Sequence, residues 1–289
     1  SETQAIGEPG PVETLYVALN NGASSEMQVL RPEGKSGSRN DVVALPEPVT
    51  YPGNVVTTGF QAHLVDSQGT FRSYGLNSAA DNMTERFAMP VGLFITGGAL
   101  TGTEYVGGGG GGPGVKAAMA ARISDGGTVW RSPNLVAQPS SVVLDENGIV
   151  FAGTVSGLTR IAPAPPSATF LEVALGESVV GTPVLVEGQQ LYSAGMTGKV
   201  GLWNRDLTPV WLFKVGDAFE ASPNMDCARD GGAIVPGRPP TLYLLDKGGK
   251  LYSVVSDVAL DTSALWPRYQ RDPLNRGTTT ADLTEFACP

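Results

Sequence analysis

Few residues in this chain have chemistry to offer, and they are scattered. The single histidine, His63, sits in the alternating run Phe60-Gln61-Ala62-His63-Leu64-Val65. A general base needs a partner to orient it, and none is visible, so His63 reads as structural or surface. The run Gly107 to Gly112, followed by Pro113-Gly114-Val115-Lys116, invites a phosphate loop. Such a loop needs Gly directly before Lys and a hydroxyl residue after it. Here Val115 and Ala117 stand in those places, so the run is read as a long flexible hairpin loop between two strands. Asp145-Glu146-Asn147-Gly148 resembles half a calcium loop but lacks the alternating Asp/Asn ligands, and a hairpin turn explains it better. Asp226, Arg229 and Asp230 could line a polar site, against the plainer reading of a solvated loop. The 28 acids leave many carboxylate pairs open for glycoside hydrolysis, but no motif singles one out. No catalytic, cofactor-binding or metal-ligating set is assigned.

Cys227 and Cys288 match no zinc spacing; in an exported chain they are expected to pair, closing a loop of 61 positions. The N-terminal Ser1-Glu2-Thr3-Gln4 carries no signal-peptide pattern, as an exported protein would not after cleavage. Asn82-Met83-Thr84 fits a glycosylation sequon, a pattern short enough to arise by chance. The net charge is −9 with no block of Lys or Arg, which argues against nucleic acid as a partner. No apolar run approaches a membrane span. Gly and Pro, 38 and 22 of 289 residues, are spread along the chain and argue against a helical bundle.

What must position these residues is a repeat. Ser140-Ser141-Val142-Val143-Leu144 with Ile149-Val150-Phe151-Ala152-Gly153 recurs 42 residues later as Thr182-Pro183-Val184-Leu185-Val186 with Leu191-Tyr192-Ser193-Ala194-Gly195. Third and fourth strands follow in each copy, ending near Val173 and Val215. A further copy begins at Ala221-Ser222-Pro223, with an insertion of 11 residues within Asn224 to Pro240. Weaker copies lie upstream, and the first unit lacks its inner strand. Four strands in about forty residues make a propeller blade, a small sheet that covers its faces only by stacking on neighbours. A β-sandwich does not repeat at this period. The expectation is an all-β propeller in one domain over 1–289, of six blades (12–50, 55–90, 91–135, 136–175, 176–216, 217–262) or seven. The segment 263–289 should close the ring against the N-terminal unit. Trp130, Trp203, Trp211 and Trp266 recur near blade ends, where their role is packing between blades.

The pattern from Thr182 to Trp203, with weaker copies at Ser140 and Ser222, resembles the PQQ-like propeller superfamily. That superfamily includes quinoprotein dehydrogenases and the lipoprotein of the outer-membrane β-barrel assembly machinery. The stretch Trp266-Pro267-Arg268-Tyr269 to Gly277 resembles a segment found beside such propellers in bacterial envelope proteins. The enzymatic members carry adjacent cysteines and a calcium site beside the quinone. This chain has no Cys-Cys pair, so the resemblance implies a non-enzymatic branch and no cofactor. It implies an exported or cell-envelope scaffold, periplasmic, surface-bound or secreted, that binds protein or glycan. The competing expectation is an enzyme with a site in the central channel, such as a lyase, glycosidase or quinoprotein relative.

Overall fold

The protein was analysed as a computed structural model, which describes residues 2–3, 12–13, 15–20, 25–30, 41–47, 55–58, 61–77, 82–111, 114–230, 233–273, 277–280 and 282–289. Nearly all of the regular structure is β, and the sheets are antiparallel meanders that succeed one another along the chain. The first sheet holds Leu15–Asn20, Ser25–Leu30 and Asp41–Leu45. The second holds Val56–Thr58, Gln61–Val65, Thr70–Asn77 and Asn82–Pro90. The third is Phe94–Leu100, Glu104–Gly110, Lys116–Arg122 and Thr128–Arg131. The fourth is Pro139–Leu144, Val150–Thr154, Gly157–Ala164 and Ser167–Ala174. The fifth is Val184–Val186, Gln190–Ala194, Lys199–Asn204 and Pro209–Lys214. The sixth has three strands, Asn224–Asp226, Thr241–Leu245 and Leu251–Val255. This is a β-propeller, and the first strand of each full sheet is its inner one.

The period-two alternation of a strand explains how the sheets stack. In the fourth sheet Val142 and Leu144 join a core shared with the second and third sheets, while Val143, between them, joins a core shared with the fifth. In the fifth sheet Leu185 faces back to the fourth, and Val184 and Val186 face the sixth. Each inner strand therefore needs apolar residues on both faces, which is why these runs are continuously apolar in sequence.

The turns are as regular as the strands. Asp66-Ser67-Gln68-Gly69, Asp145-Glu146-Asn147-Gly148 and Asp246-Lys247-Gly248-Gly249 each close a hairpin, with the glycine at φ 72°, 75° and 79°. In each, an aspartate Oδ1 accepts the backbone N–H four residues on, from Thr70, Ile149 or Lys250, at 2.9 Å. The half calcium loop at Asp145 is thus one copy of a repeated turn.

Two expectations are corrected. Gly107 to Gly110 are not loop: they lie in a strand hydrogen-bonded on both sides, and they are buried. The glycines are there for close approach. A Cβ on Gly107 would sit 2.7 Å from the Ile95 side chain, and one on Gly108 would sit 2.7 Å from Pro139 of the next sheet. Gly111 lies just beyond this strand, whereas Gly112 and Pro113 lie outside the described residues. Among the described residues the sixth unit has three strands, not four. After Val255 the chain turns inward, the Ser256 hydroxyl donating to the Val258 carbonyl at 2.6 Å, and no fourth strand follows among the described residues. The insertion foreseen after Asn224 forms a small hairpin, Arg229–Asp230 with Ala233–Ile234.

The closing segment takes an unexpected path. Leu260 bridges to Val186 and Trp266 to Leu144, both antiparallel, and Thr278 bridges to Thr57 in parallel. Leu185 N–H donates to the Pro267 carbonyl at 2.7 Å and Thr57 N–H to the Gly277 carbonyl at 2.8 Å. Asn224 Nδ2 reaches the Pro273 carbonyl at 3.4 Å. The segment is therefore a strap that caps the inward edges of the fifth, fourth and second sheets' inner strands and meets the sixth through the Asn224 side chain. Any contact with the first sheet lies outside the described residues.

Candidate functional site

His63 is fully buried. Its Nε2 lies 3.2 Å from Thr58 Oγ1 and its ring stacks on Phe71 with centroids 6.0 Å apart. Desolvation, reinforced by the Arg86 cation, pulls its pKa from 6.5 down to about 3. Between those values the unfolded chain binds a proton there that the folded chain does not, so stability falls as pH drops below 6.5. The slope should be about 1.4 kcal/mol per pH unit at its steepest. In urea unfolding over a pH series, His63→Leu should remove about one proton's worth of that slope. An unchanged slope would refute the assignment.

The axial strap collects charged side chains that are deeply buried. Arg268 is 2% exposed and donates through Nη1 to the Asp272 carbonyl, and desolvation draws its pKa down to about 10. Asp272 itself is 0% exposed. Arg271, in a left-handed conformation at φ 70°, donates to the carbonyls of Leu265 at 3.1 Å and Thr278 at 2.8 Å. These groups hold the strap's own loop together.

The end of the strap is locked by covalent and polar contacts. Cys227 and Cys288 form a disulfide, as expected from sequence. Beside it Arg229 pairs with Asp226 at 3.0 Å, lies over the Phe286 ring at 5.5 Å and donates to the Glu285 carbonyl at 3.4 Å. Asp230 is exposed at the tip of the inserted hairpin. Asp226 and Arg229 thus anchor the tail.

An open site lies elsewhere, between the hairpins of the fourth and fifth sheets. It is a groove of about 580 Å³. Phe151, Arg160 and Leu171 are cross-strand neighbours in one row of the fourth sheet, so all three point to this side. Asn204, Arg205 and Asp206 line the opposite wall from the fifth sheet. At the back Arg205, 6% exposed, donates to Glu146 at 2.7 Å and to Asp261 of the strap, and lies 3.8 Å from Asp145. Asp145 is held above the usual carboxylate range by desolvation, which outweighs its backbone hydrogen bonds and the Arg205 charge. Arg160 makes no salt bridge among the described residues, but its charge, after the Thr208 hydrogen bonds, helps hold the Asp206 carboxylate of the same groove below its usual pKa. The groove combines an apolar floor, a half-buried cation, and carboxylate and amide groups on its walls.

The tryptophans fall at different depths. Trp130 packs in the core of the second to fourth sheets, and Trp266 of the strap is buried in that same core. Trp203 lies between the fourth and fifth sheets and donates from Nε1 to Ser193 Oγ at 2.9 Å. Trp211 is half-buried beside Tyr192 and Phe213. Sequence reasoning missed Arg160, Arg205 and Asp261. The one available signal was position: Arg205 follows the repeat's terminal Trp203 in a turn, where a charge breaks the apolar pattern.

No protein-family model matches the chain. No curated protein matches it. Among solved structures, the crystal structure of BamB from Moraxella catarrhalis is similar, with TM-score 0.59 and 14% identity over 89% of this chain and 70% of that one. The crystal structure of the C-terminal WD40 domain of Sif2 is similar too, with TM-score 0.55 and 15% identity over 86% and 69%. Both likenesses are of fold: the chain is built as a β-propeller.

Proposed function

We propose that the chain is a six-bladed, single-domain propeller exported from the cytoplasm, where it serves as a protein-binding scaffold in the cell envelope or outside the cell. The observation that carries this reading is the strap. Its residues occupy the inward edges of three inner strands, which is where an enzyme of this architecture would hold a substrate. A groove that does stay open is peripheral, between the fourth and fifth sheets, with Arg160 between Phe151 and Leu171 in one row. An extended protein segment carrying an acidic and an apolar residue suits it better than a glycan, whose hydroxyls would leave Leu171 uncovered. The disulfide supports an oxidising compartment, and the BamB likeness is consistent with an envelope setting. The four tryptophans serve blade packing, and no cofactor or metal is needed for this role.

The test is affinity capture from the native source, comparing the wild type with the double variant Arg160→Glu, Leu171→Glu. Both positions are partly solvated, so folding should survive. A set of proteins retained by the wild type and depleted at least tenfold with the variant is expected. Equal capture by both, or no capture, would overturn the assignment.

A further inference from the structure

The outer edges of the full sheets carry devices that discourage pairing with another chain. The outermost strand pairs of the second, third and fifth sheets are broken by register shifts at Ser73/Tyr74, Ala120/Ala121 and Leu202/Trp203. The outer strand of the fifth sheet also begins at Pro209 and ends at Lys214. That of the fourth sheet is entered through Pro165-Pro166 at its hairpin. Bulges, prolines and charges are the usual guards of an open edge.

The sixth sheet has none of these. Its edge strand is Leu251-Tyr252-Ser253-Val254-Val255, without charge, proline or bulge, and it pairs with Thr241–Leu245 in unbroken register. Leu251 and Val255 are 68% and 67% exposed, and Leu245, directly opposite Leu251, is 48% exposed. The hydrogen bonds flanking the strand set its phase. Asp246 N–H donates to the Lys250 carbonyl and Ser256 N–H to the Pro240 carbonyl, so the even-numbered residues bond inward. The backbone groups of Leu251, Ser253 and Val255 therefore point away from the sheet, with no partner among the described residues.

We infer that this edge pairs with the same edge of a second copy of the chain, antiparallel about a two-fold axis through Ser253, fusing two three-stranded sheets into one of six. The proposal goes beyond the scaffold reading and does not depend on the groove. A two-fold contact brings each residue i against residue j of the partner and j against i. With Ser253 on the axis, Leu251 faces Val255 of the other copy. All three outward residues then pair with outward residues, as the antiparallel pattern requires. One apolar row runs across the junction from Leu245 through Leu251 to the second copy's Val255. The ends match in charge: Lys250 precedes the strand and Asp257 follows it, so antiparallel pairing sets the basic end of each strand beside the acidic end of the other. A foreign strand would meet the backbone requirement equally, but the self-match of phase, row and charge selects a second copy.

Ser253→Pro is the decisive variant, because it removes only an outward N–H on an edge strand, where proline is tolerated. Sedimentation equilibrium of the full oxidised chain should show a concentration-dependent monomer–dimer association for the wild type. Ser253→Pro should abolish it with an unchanged far-UV spectrum and melting profile. Leu251→Lys with Val255→Lys gives a second route: four added charges at the junction should weaken association at least tenfold at low salt. A wild type that stays monomeric to the highest soluble concentration would overturn the proposal, even if the edge captured an unrelated peptide. A dimer that survives both variants would overturn it equally.

Discussion

A chain truncated at Ser263 is expected to lose cooperative folding rather than to melt a little lower. The removed residues include Trp266, buried in the core of the second to fourth sheets, and Leu283 and Phe286, buried in that of the fifth and sixth. Burying a large apolar side chain is worth about 1.5–3 kcal/mol, so these three alone approach the whole stability margin of a typical domain, about 5–15 kcal/mol. Truncation also strips hydrogen-bond partners from Leu144, Leu185 and Thr57 on inward strand edges. Reducing the Cys227–Cys288 bridge should be milder. Its loop-closure contribution is at most about 4 kcal/mol, and the rest of the strap stays in place. Near-UV circular dichroism during thermal unfolding separates the cases. The reduced protein should melt lower but sharply, and the truncated one should show no sharp transition. A truncated chain that melts like the full one would refute the strap's role.

The second large effect is expected at Arg205. This guanidinium joins the turn after the third strand of the fifth sheet to the turn of the fourth and to the strap, through Glu146, Asp145 and Asp261. Arg205→Met keeps most of the volume but leaves the buried carboxylates Asp145 and Asp261 without their cation. Breaking a buried pair from one side costs about 3–5 kcal/mol. Acid should soften the loss. Asp145 already has a raised pKa when folded, and losing the nearby positive charge raises it further. A carboxyl whose folded pKa exceeds its unfolded one destabilises the fold above that range, and the penalty fades as pH falls. The difference in urea stability between variant and wild type should therefore shrink from about pH 7 to about pH 5. A difference that is small at neutral pH, or constant with pH, would contradict this account.

The propeller was legible because its repeat is written in local terms. Alternating apolar strands, Asp-x-x-Gly turns and a spacing of about forty residues all follow from neighbours in sequence. The Gly107–Gly110 run misled because glycine carries two meanings, flexibility in a loop and closeness in a packed strand. Only the partners, Ile95 and Pro139, decide between them. The strap was foreseen as a closing segment, but its route was not, since backbone-to-backbone bridges leave no signature in residue types. Trp266 was expected to pack between blades; the core it enters, that of the second to fourth sheets, could not be read from the sequence. The groove was invisible for a related reason. Arg160 sits in an ordinary alternating strand, and only the juxtaposition of two hairpins turns it into the wall of a cleft. The Cys227–Cys288 bridge was expected on the premise of an exported chain with two cysteines and no metal spacing.

The strap also sets the order of events in folding. The Thr57–Gly277 contact joins residues 220 positions apart, and it closes the inner edge of the second sheet. Hairpins within each sheet can form as soon as their forty residues exist, but this edge must wait for a segment translated far later. Long-range closures of this kind pay their chain entropy before they are rewarded, so they slow folding and prolong the life of open intermediates. During that interval Leu144, Leu185 and Thr57 present bare strand edges to any neighbouring chain. The nascent protein should therefore depend on chaperones for longer than its short local repeats would suggest, and that dependence should end when the strap docks.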